Sequence, residues 1–188
     1  ALKALTDMAA DDHTSSKKQS VSTGGGVPLV NLLKDGLKDG RVEAQEYALR
    51  SLLSVSDAAA KQQIVDAGCI AALIASLVSG QLSAIAQEHA SGVISGLAPL
   101  SNNAHAIKVA KGIDPLVMLL STGTADAKGH AAATLAQLAR RANAANEIAE
   151  AGAVSAFIRW LHDPSLGPPD VAARALSEIA LDNPDTQA

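Results

Sequence analysis

AQEHASGVISGLA, residues 86–98, carries a pattern that returns at a fixed interval along the rest of the chain. Its core is A-x-x-x-L-x-x-L-A, or a close variant. Copies stand at Ala1-Leu5-Met8-Ala9, Ala48-Leu52-Val55-Ser56, Ala90-Ile94-Leu97-Ala98, Ala131-Leu135-Leu138-Ala139 and Ala172-Leu176-Ile179-Ala180. The central apolar residues, Leu5, Leu52, Ile94, Leu135 and Leu176, lie 47, 42, 41 and 41 residues apart. A second ladder runs through Leu29, Leu73, Leu116 and Phe157, with spacings of 44, 43 and 41. Apolar residues spaced this way fall on one face of a helix. Two ladders of nearly equal period, about 40–47 residues, predict a helical solenoid.

Composition agrees with that expectation. Hydrophobic residues make up 48 % of the 188, yet aromatics only 2 %. The core must therefore be built from Ala, Leu, Ile and Val, which favours closely spaced helices over a sheet sandwich. A formal charge of −4 argues against a nucleic-acid partner, which would call for a basic stripe. The lone cysteine, Cys69, cannot form an intrachain disulfide, and the expected setting is intracellular, cytoplasmic or nuclear. No apolar run approaches the roughly 18 residues of a membrane span.

Taken in order, residues 1–9 match only the end of the recurring helix. Asp11 to Val21 predicts a polar lead into a short helix, broken at Gly24-Gly25-Gly26. VPLVNLL, residues 27–33, predicts a second helix, Lys34 to Arg41 a turn-rich connection, and Val42 to Ser56 a long third helix. The same order follows three more times. KQQIVDA stops at Gly68, as glycine commonly stops helices. CIAALIASLV, the loop SGQLSA and the opening stretch come next. NNAHAIKVAKG, IDPLVMLL, the loop STGTADAK and GHAAATLAQLA form the following unit, with Arg140 and Arg141 in the connection after it. The last unit is NAANEIAEAG, AVSAFIRWL, the loop HDPSLGPPD and VAARALSEIA. The expected division is 1–9 the end of a preceding repeat, then repeats at 10–56, 57–98, 99–141 and 142–181, with 182–188 opening a further one. The chain thus reads as a segment of a longer array.

Short helix, glycine, second helix ending in a Leu/Val run, loop, and long helix ending in A-L-x-x-L-A: this order resembles the armadillo repeat family. IVDAGCIAALIASL, AKGIDPLVMLL and EIAEAGAVSAFIRWL with their long helices carry the resemblance, over essentially the whole chain. HEAT repeats, with two helices per unit and without the A-G-x-[IV] turn, are the neighbouring pattern. The resemblance implies an all-α, right-handed α-solenoid with three helices per repeat. It also implies that the third helices line a concave groove for an extended peptide or protein segment. The groove columns would then be Lys3, Arg50, Gly92, Ala133 and Arg174, then Asp7, Ser54, Gly96, Gln137 and Glu178, and one turn earlier Glu46, Glu88, Gly129 and Asp170. Nuclear-import members place tryptophans and asparagines in the first two columns. This sequence holds neither ladder, and its single tryptophan, Trp160, lies on a second helix.

Charges in these columns fall four apart: Lys3 with Asp7, Glu46 with Arg50, Asp170 with Arg174, Arg174 with Glu178. One reading is a self-neutralised helix surface, each pair contributing a few tenths of a kcal/mol. The other is that Arg50 and Arg174 receive acidic groups of a partner through their bidentate forks. Gly92 and Gly96 are unfavourable inside a helix. They mark either tight helix packing or a low groove floor. His89 and His130, in the column of Tyr47 and Val171, are either half-buried between repeats or a contact ladder. STGGGVPL lacks the Lys-Ser/Thr of a phosphate loop. No nucleophile with an orienting base recurs, and no histidine pair has ligand spacing within one helix. Function is therefore expected to be protein binding as a scaffold or adaptor, with no catalytic residue, metal or cofactor. Self-association as a homo-oligomer, or service as the targeting arm of a larger multidomain protein, are the alternatives.

Overall fold

The computed structural model describes residues 25–100 and 102–181, so the readings made on Lys3, Asp7, residues 11–21 and residues 182–188 lie outside them. In order the helices are α1 (Gly26–Asp39), α2 (Val42–Leu53), α3 (Ala58–Asp66), α4 (Cys69–Val78), α5 (Ala84–Leu97) and α6 (Asn103–Val109). They continue with α7 (Ile113–Thr122), α8 (Ala125–Ala142), α9 (Ala145–Glu150), α10 (Ala153–His162) and α11 (Pro169–Leu181), with a 3-10 turn at Pro164–Leu166 before the last. No strand occurs among the described residues. No single helix there is long and apolar enough to cross a membrane.

Local chemistry sets most of the boundaries. Three helices open on side-chain caps. Asp57 accepts from Ala60 N at 2.8 Å, Ser83 from Ala86 N at 3.2 Å and Thr124 from Ala127 N at 3.1 Å, each satisfying one of the orphan N–H groups of the first turn. At Gly68 and Gly152 the backbone turns left-handed, with φ of 80° and 88°, so the short first helix stops and the second leaves at a new angle.

Gly112 does a different job. The left-handed residue of that unit is Lys111, with φ of 59°. A Cβ on Gly112 would lie 2.7 Å from Ile107 Cγ2 and 2.9 Å from Ile74 Cδ1. Here the glycine is required by the close approach of two units.

The expected connection at Lys34 to Arg41 is mostly helix. α1 runs through Asp39 and ends at Gly40, whose φ is 67°. The repeated Lys-Asp-Gly reads as two turns, but only the second glycine makes one. Gly36 is buried inside α1, where a Cβ would stand 2.9 Å from Gln45 Cγ, and its carbonyl accepts from Gln45 Nε2 at 3.1 Å. α2 could not pack so closely on a larger residue. Likewise the loop expected at STGTADAK shrinks to Gly123 and Thr124, because the Thr124 cap starts α8 at Ala125. α8 also extends through Arg140 and Arg141, both placed in a connection from sequence, and stops at Asn143 with φ of 47°. At the other end of the pattern, α2 stops at Leu53, three residues before the expected Ser56.

Packing repeats with the sequence. The long helices α2, α5, α8 and α11 stack in one row, and α1, α4, α7 and α10 in another. The short helices α3, α6 and α9 lie against both neighbouring units. The ladder residues fill the interior: Leu52, Ile94 and Leu135 from one row, Leu29, Leu73, Leu116 and Phe157 from the other. Each fully buried Leu or Ile contributes roughly 1.5–3 kcal/mol. In the last unit Phe157 and Trp160 replace leucines, with ring centroids 6.4 Å apart and both rings buried. Gly167 lies over the indole, where a Cβ would come within 2.9 Å of Trp160 Cζ2.

Polar bonds tie unit to unit: Lys34 Nζ donates to Ala67 O at 2.6 Å, and Lys108 Nζ to Ala142 O and Asn143 O at 3.3 Å each, while Lys61 Nζ donates to Gly96 O at 3.4 Å within its own unit. Each cation sits at a helix C-terminus, where the helix dipole favours it. A second set joins the long helices: Ser83 N donates to Glu46 Oε1 at 3.3 Å, and Thr124 Oγ1 to Glu88 Oε2 at 2.7 Å. Both partners are helix caps, so the carboxylate of one unit steadies the start of the next unit's long helix. The third step has no such bond to make, because Gly129 stands in the carboxylate column and Pro168 before α11 has neither hydroxyl nor N–H.

These contacts have measurable costs. Glu88→Ala removes a short charge-assisted bond and is expected to lower stability by about 1–2 kcal/mol. Glu46→Ala, with a longer bond to an exposed residue, should cost no more than about 0.5 kcal/mol. Equal losses in urea unfolding would contradict that ranking. In the same assay Gly112→Ala should destabilise by about 1–3 kcal/mol through overpacking. Gly129→Ala, whose Cβ would meet nothing within 4 Å, should stabilise by roughly 0.5–1 kcal/mol.

Candidate protein-binding groove

The long-helix row presents the columns picked out from sequence, and a hollow lies between α2 and α5. This is a cleft of about 340 Å³ lined by Glu43, Glu46, Tyr47 and Arg50 from α2 and by Ser83, Ile85, Ala86 and His89 at the start of α5. The i, i+3, i+4 spacing on α2 turns Glu43, Glu46, Tyr47 and Arg50 to one side of the helix. Ser83, as the N-cap, fixes where α5 begins and so where Ile85 and His89 point. Ile85 is 64 % exposed, an aliphatic side chain at the rim of the cleft.

Charge in the cleft is not self-cancelled. The Glu46–Arg50 pair expected from their spacing does not form. The Glu46 carboxylate instead accepts from Ser83 N, and Arg50 is exposed with no hydrogen bond or ion pair among the described residues. The same holds at the far end of the row. Arg174 is exposed and pairs with neither Asp170 nor Glu178. Among the described residues the ion pairs are Arg41 with Asp39 at 2.9 Å and Lys108 with Glu147 at 2.7 Å. Exposed pairs four apart on a helix gain only a few tenths of a kcal/mol, too little to hold a carboxylate that has a backbone N–H within reach.

The remaining columns are placed as follows. Glu88 is half-buried and engaged by Thr124. Ser54 is exposed and donates to Ser51 O at 2.7 Å. Gln137 is half-buried, and its Oε1 accepts from Arg140 Nη2 and Arg141 Nε at 3.0 Å each. Asp170 is exposed, and Ala133 and Glu178 are half-buried. Gly92 is buried, and a Cβ there would lie 2.8 Å from Leu53 Cδ1 and 3.1 Å from His130 Cε1. That glycine serves helix packing. Gly96 is exposed, with only Lys61 Nζ near it at 3.8 Å from a Cβ position. His130 is half-buried across Gly92, and its Nδ1 is buried without a hydrogen-bond partner. The cleft thus joins Glu46 and Arg50 to Tyr47 and His89. The sequence offered no reason to add Glu43, Ser83 and Ile85, apart from the position of an apolar residue just inside a capped helix start.

Cys69 belongs to the interior. It is fully buried, and burial raises its thiol pKa to about 12, the nearby Lys34 cation opposing this only in part. A thiol with so little thiolate at neutral pH is a poor nucleophile. Among the described residues no three His, Cys, Asp or Glu side chains gather as a metal site would require.

Comparison with known proteins follows the geometry. No family model matches the sequence, and no curated protein does. Solved structures do. An engineered protein is 30 % identical, with a TM-score of 0.72 over 94 % of this chain and 70 % of its own. A computationally designed armadillo repeat protein for modular peptide recognition is 22 % identical, with a TM-score of 0.77 over 99 % of this chain and 77 % of its own. A designed armadillo repeat protein in complex with the peptide (KR)4 is 23 % identical, with a TM-score of 0.71 over 95 % and 74 %. With three-helix units stacked in rows and these likenesses over nearly its full length, the chain is an armadillo-like repeat protein, an all-α solenoid.

Proposed function

We propose that the chain is a protein-interaction scaffold whose long-helix row receives an extended peptide or protein segment, anchored by carboxylates of the partner on Arg50 and Arg174. The observation that carries this is the α2–α5 cleft, where Arg50 stands exposed and unpaired beside Tyr47, Ile85 and His89. A guanidinium there can take a carboxylate in two parallel hydrogen bonds, while Ile85 offers apolar surface to the neighbouring partner residue. Glu46 is already engaged at Ser83, so it competes weakly for the Arg50 fork. The designed relative with a bound peptide supports a binding role for this kind of scaffold. Its peptide is basic, so the charge of the partner here is argued from this chain's own arginines.

Arg50 and Arg174 are three units apart. At about 8–10 Å between packed helices and about 3.3 Å per extended residue, the two carboxylates would be separated by roughly eight or nine peptide residues. A fluorescent peptide carrying two Asp residues at that spacing, and the (Lys-Arg)4 peptide, are suitable probes by anisotropy. The acidic peptide is expected to bind the parent chain more tightly. Arg50→Glu/Arg174→Glu should weaken it at least about tenfold, equivalent to about 1.4 kcal/mol, with helicity unchanged. Preference of the parent chain for (Lys-Arg)4, or acidic-peptide binding unaffected in the folded double variant, would sink the reading.

A further inference from the structure

The cleft between α2 and α5 holds more charge than the arginine that anchors the proposed partner. Three α2 side chains there are ionic, and their situations differ. Glu46 is engaged at the Ser83 N–H. Glu43 and Arg50 are both exposed, and neither forms a hydrogen bond or ion pair among the described residues. They lie two helical turns apart, so they share one face of α2 at roughly 10 Å along its axis. That is too far for a pair of their own, and beyond about 8 Å dissolved salt screens much of the remaining attraction. The α5 wall adds no carboxylate, lysine or arginine. Through the 42-residue offset between Leu52 and Ile94, Ile85 comes to the register position of Glu43, His89 to that of Tyr47 and Gly92 to that of Arg50. The cleft is therefore polarised along the helix axis. At one end a carboxylate stands level with an aliphatic side chain that is 64 % exposed. At the other a guanidinium stands level with a glycine.

We infer that this cleft recognises opposite charges on adjacent residues of the partner: beside the carboxylate that Arg50 holds, a lysine whose ammonium meets Glu43 and whose stem lies on Ile85. The inference rests on the peptide-binding reading and names the kind of residue next to its anchor. An extended segment crossing the long helices sends successive side chains to opposite sides, one toward the C-terminal end of α2 and the next toward its N-terminal end. Those two directions lead to Arg50 and to Glu43. A lysine suits the Glu43 end because its methylene stem covers apolar surface while its charge stays in water, and Ile85 supplies that surface. A second carboxylate in that place would face Glu43 with like charge. Residues two away from the anchor return to the Arg50 side, where a lysine would be repelled.

Two fluorescent peptide isomers test it by anisotropy at low salt. Both carry the two Asp residues at the spacing set by Arg50 and Arg174. One has lysines at the positions flanking each Asp, and the other has the same lysines two positions away. Composition and net charge are identical, so general attraction to the chain cancels. On the parent chain the flanking isomer is expected to bind about two- to fivefold tighter, the range of one exposed ion pair. Glu43→Gln should bring the two isomers level and Ile85→Ser should shrink the preference, both with helicity unchanged. Equal affinity of the isomers for the parent, tighter binding of the other isomer, or a preference that survives Glu43→Gln or Ile85→Ser in full would overturn the inference. Those results leave the groove reading standing so long as Arg50→Glu/Arg174→Glu weakens both isomers. If the double variant binds both as the parent does, or the parent binds neither saturably, the groove reading fails and this inference falls with it.

Discussion

The contact between one unit's second and third helices and the unit that follows is what the rest of this structure depends on. No short helix here could persist alone, because isolated helices under about 12 residues are marginal in water, and α3, α6 and α9 have nine, seven and six. Each is held by laying Ile64, Ile107 or Ile148 into the interior. Stability in such a stack is close to a sum of unit and neighbour terms.

A core with so few aromatics sets a second constraint. Ala, Leu and Ile fill space only when helices come close, and the close approaches fall on small residues. Gly36 lets α2 lie on α1, Gly112 admits Ile107 and Ile74, and Gly92 receives Leu53 and His130. Gly40, Gly68 and Gly152 instead supply left-handed turns. One residue type thus does two jobs, and only its neighbours in space tell which. Where the last unit uses Phe157 and Trp160, the bulk is matched by Gly167 over the ring. The indole Nε1 is buried there without a partner, a polar cost set against the large apolar area that Trp160 removes from water.

The polar side chains divide in the same way. Glu46 and Glu88 belong to the columns that resemblance assigns to partner contact, yet both are drawn to the cap of the next long helix. Arg50, four residues after Glu46, is released by that choice. A carboxylate that meets a backbone N–H or a hydroxyl at a fixed helix start loses less side-chain freedom than one chasing a mobile arginine on its own helix. The inter-unit bonds thereby shape the electrostatics of the cleft, leaving Arg50 as its open cation.

The sequence by itself determined the all-α solenoid, the period of its units, the ladders that fill the core and the positions of most helices. These follow from apolar periodicity and turn residues, which act locally or repeat at a fixed interval. It also located the column containing Arg50, Arg174 and Gly92. Only the tertiary structure decided that Lys34 to Asp39 is helix, that Gly92 is a packing residue, that Glu46 bonds to Ser83 rather than Arg50, and that Ile85 and Ser83 complete the cleft. The Gly92, Glu46 and cleft outcomes each turn on a choice between a partner four residues away and one some 37 to 39 residues away, whereas the extension of α1 rests on Gln45 packing over Gly36. Spacing along the chain describes the first kind of partner and is blind to the second until the units are stacked.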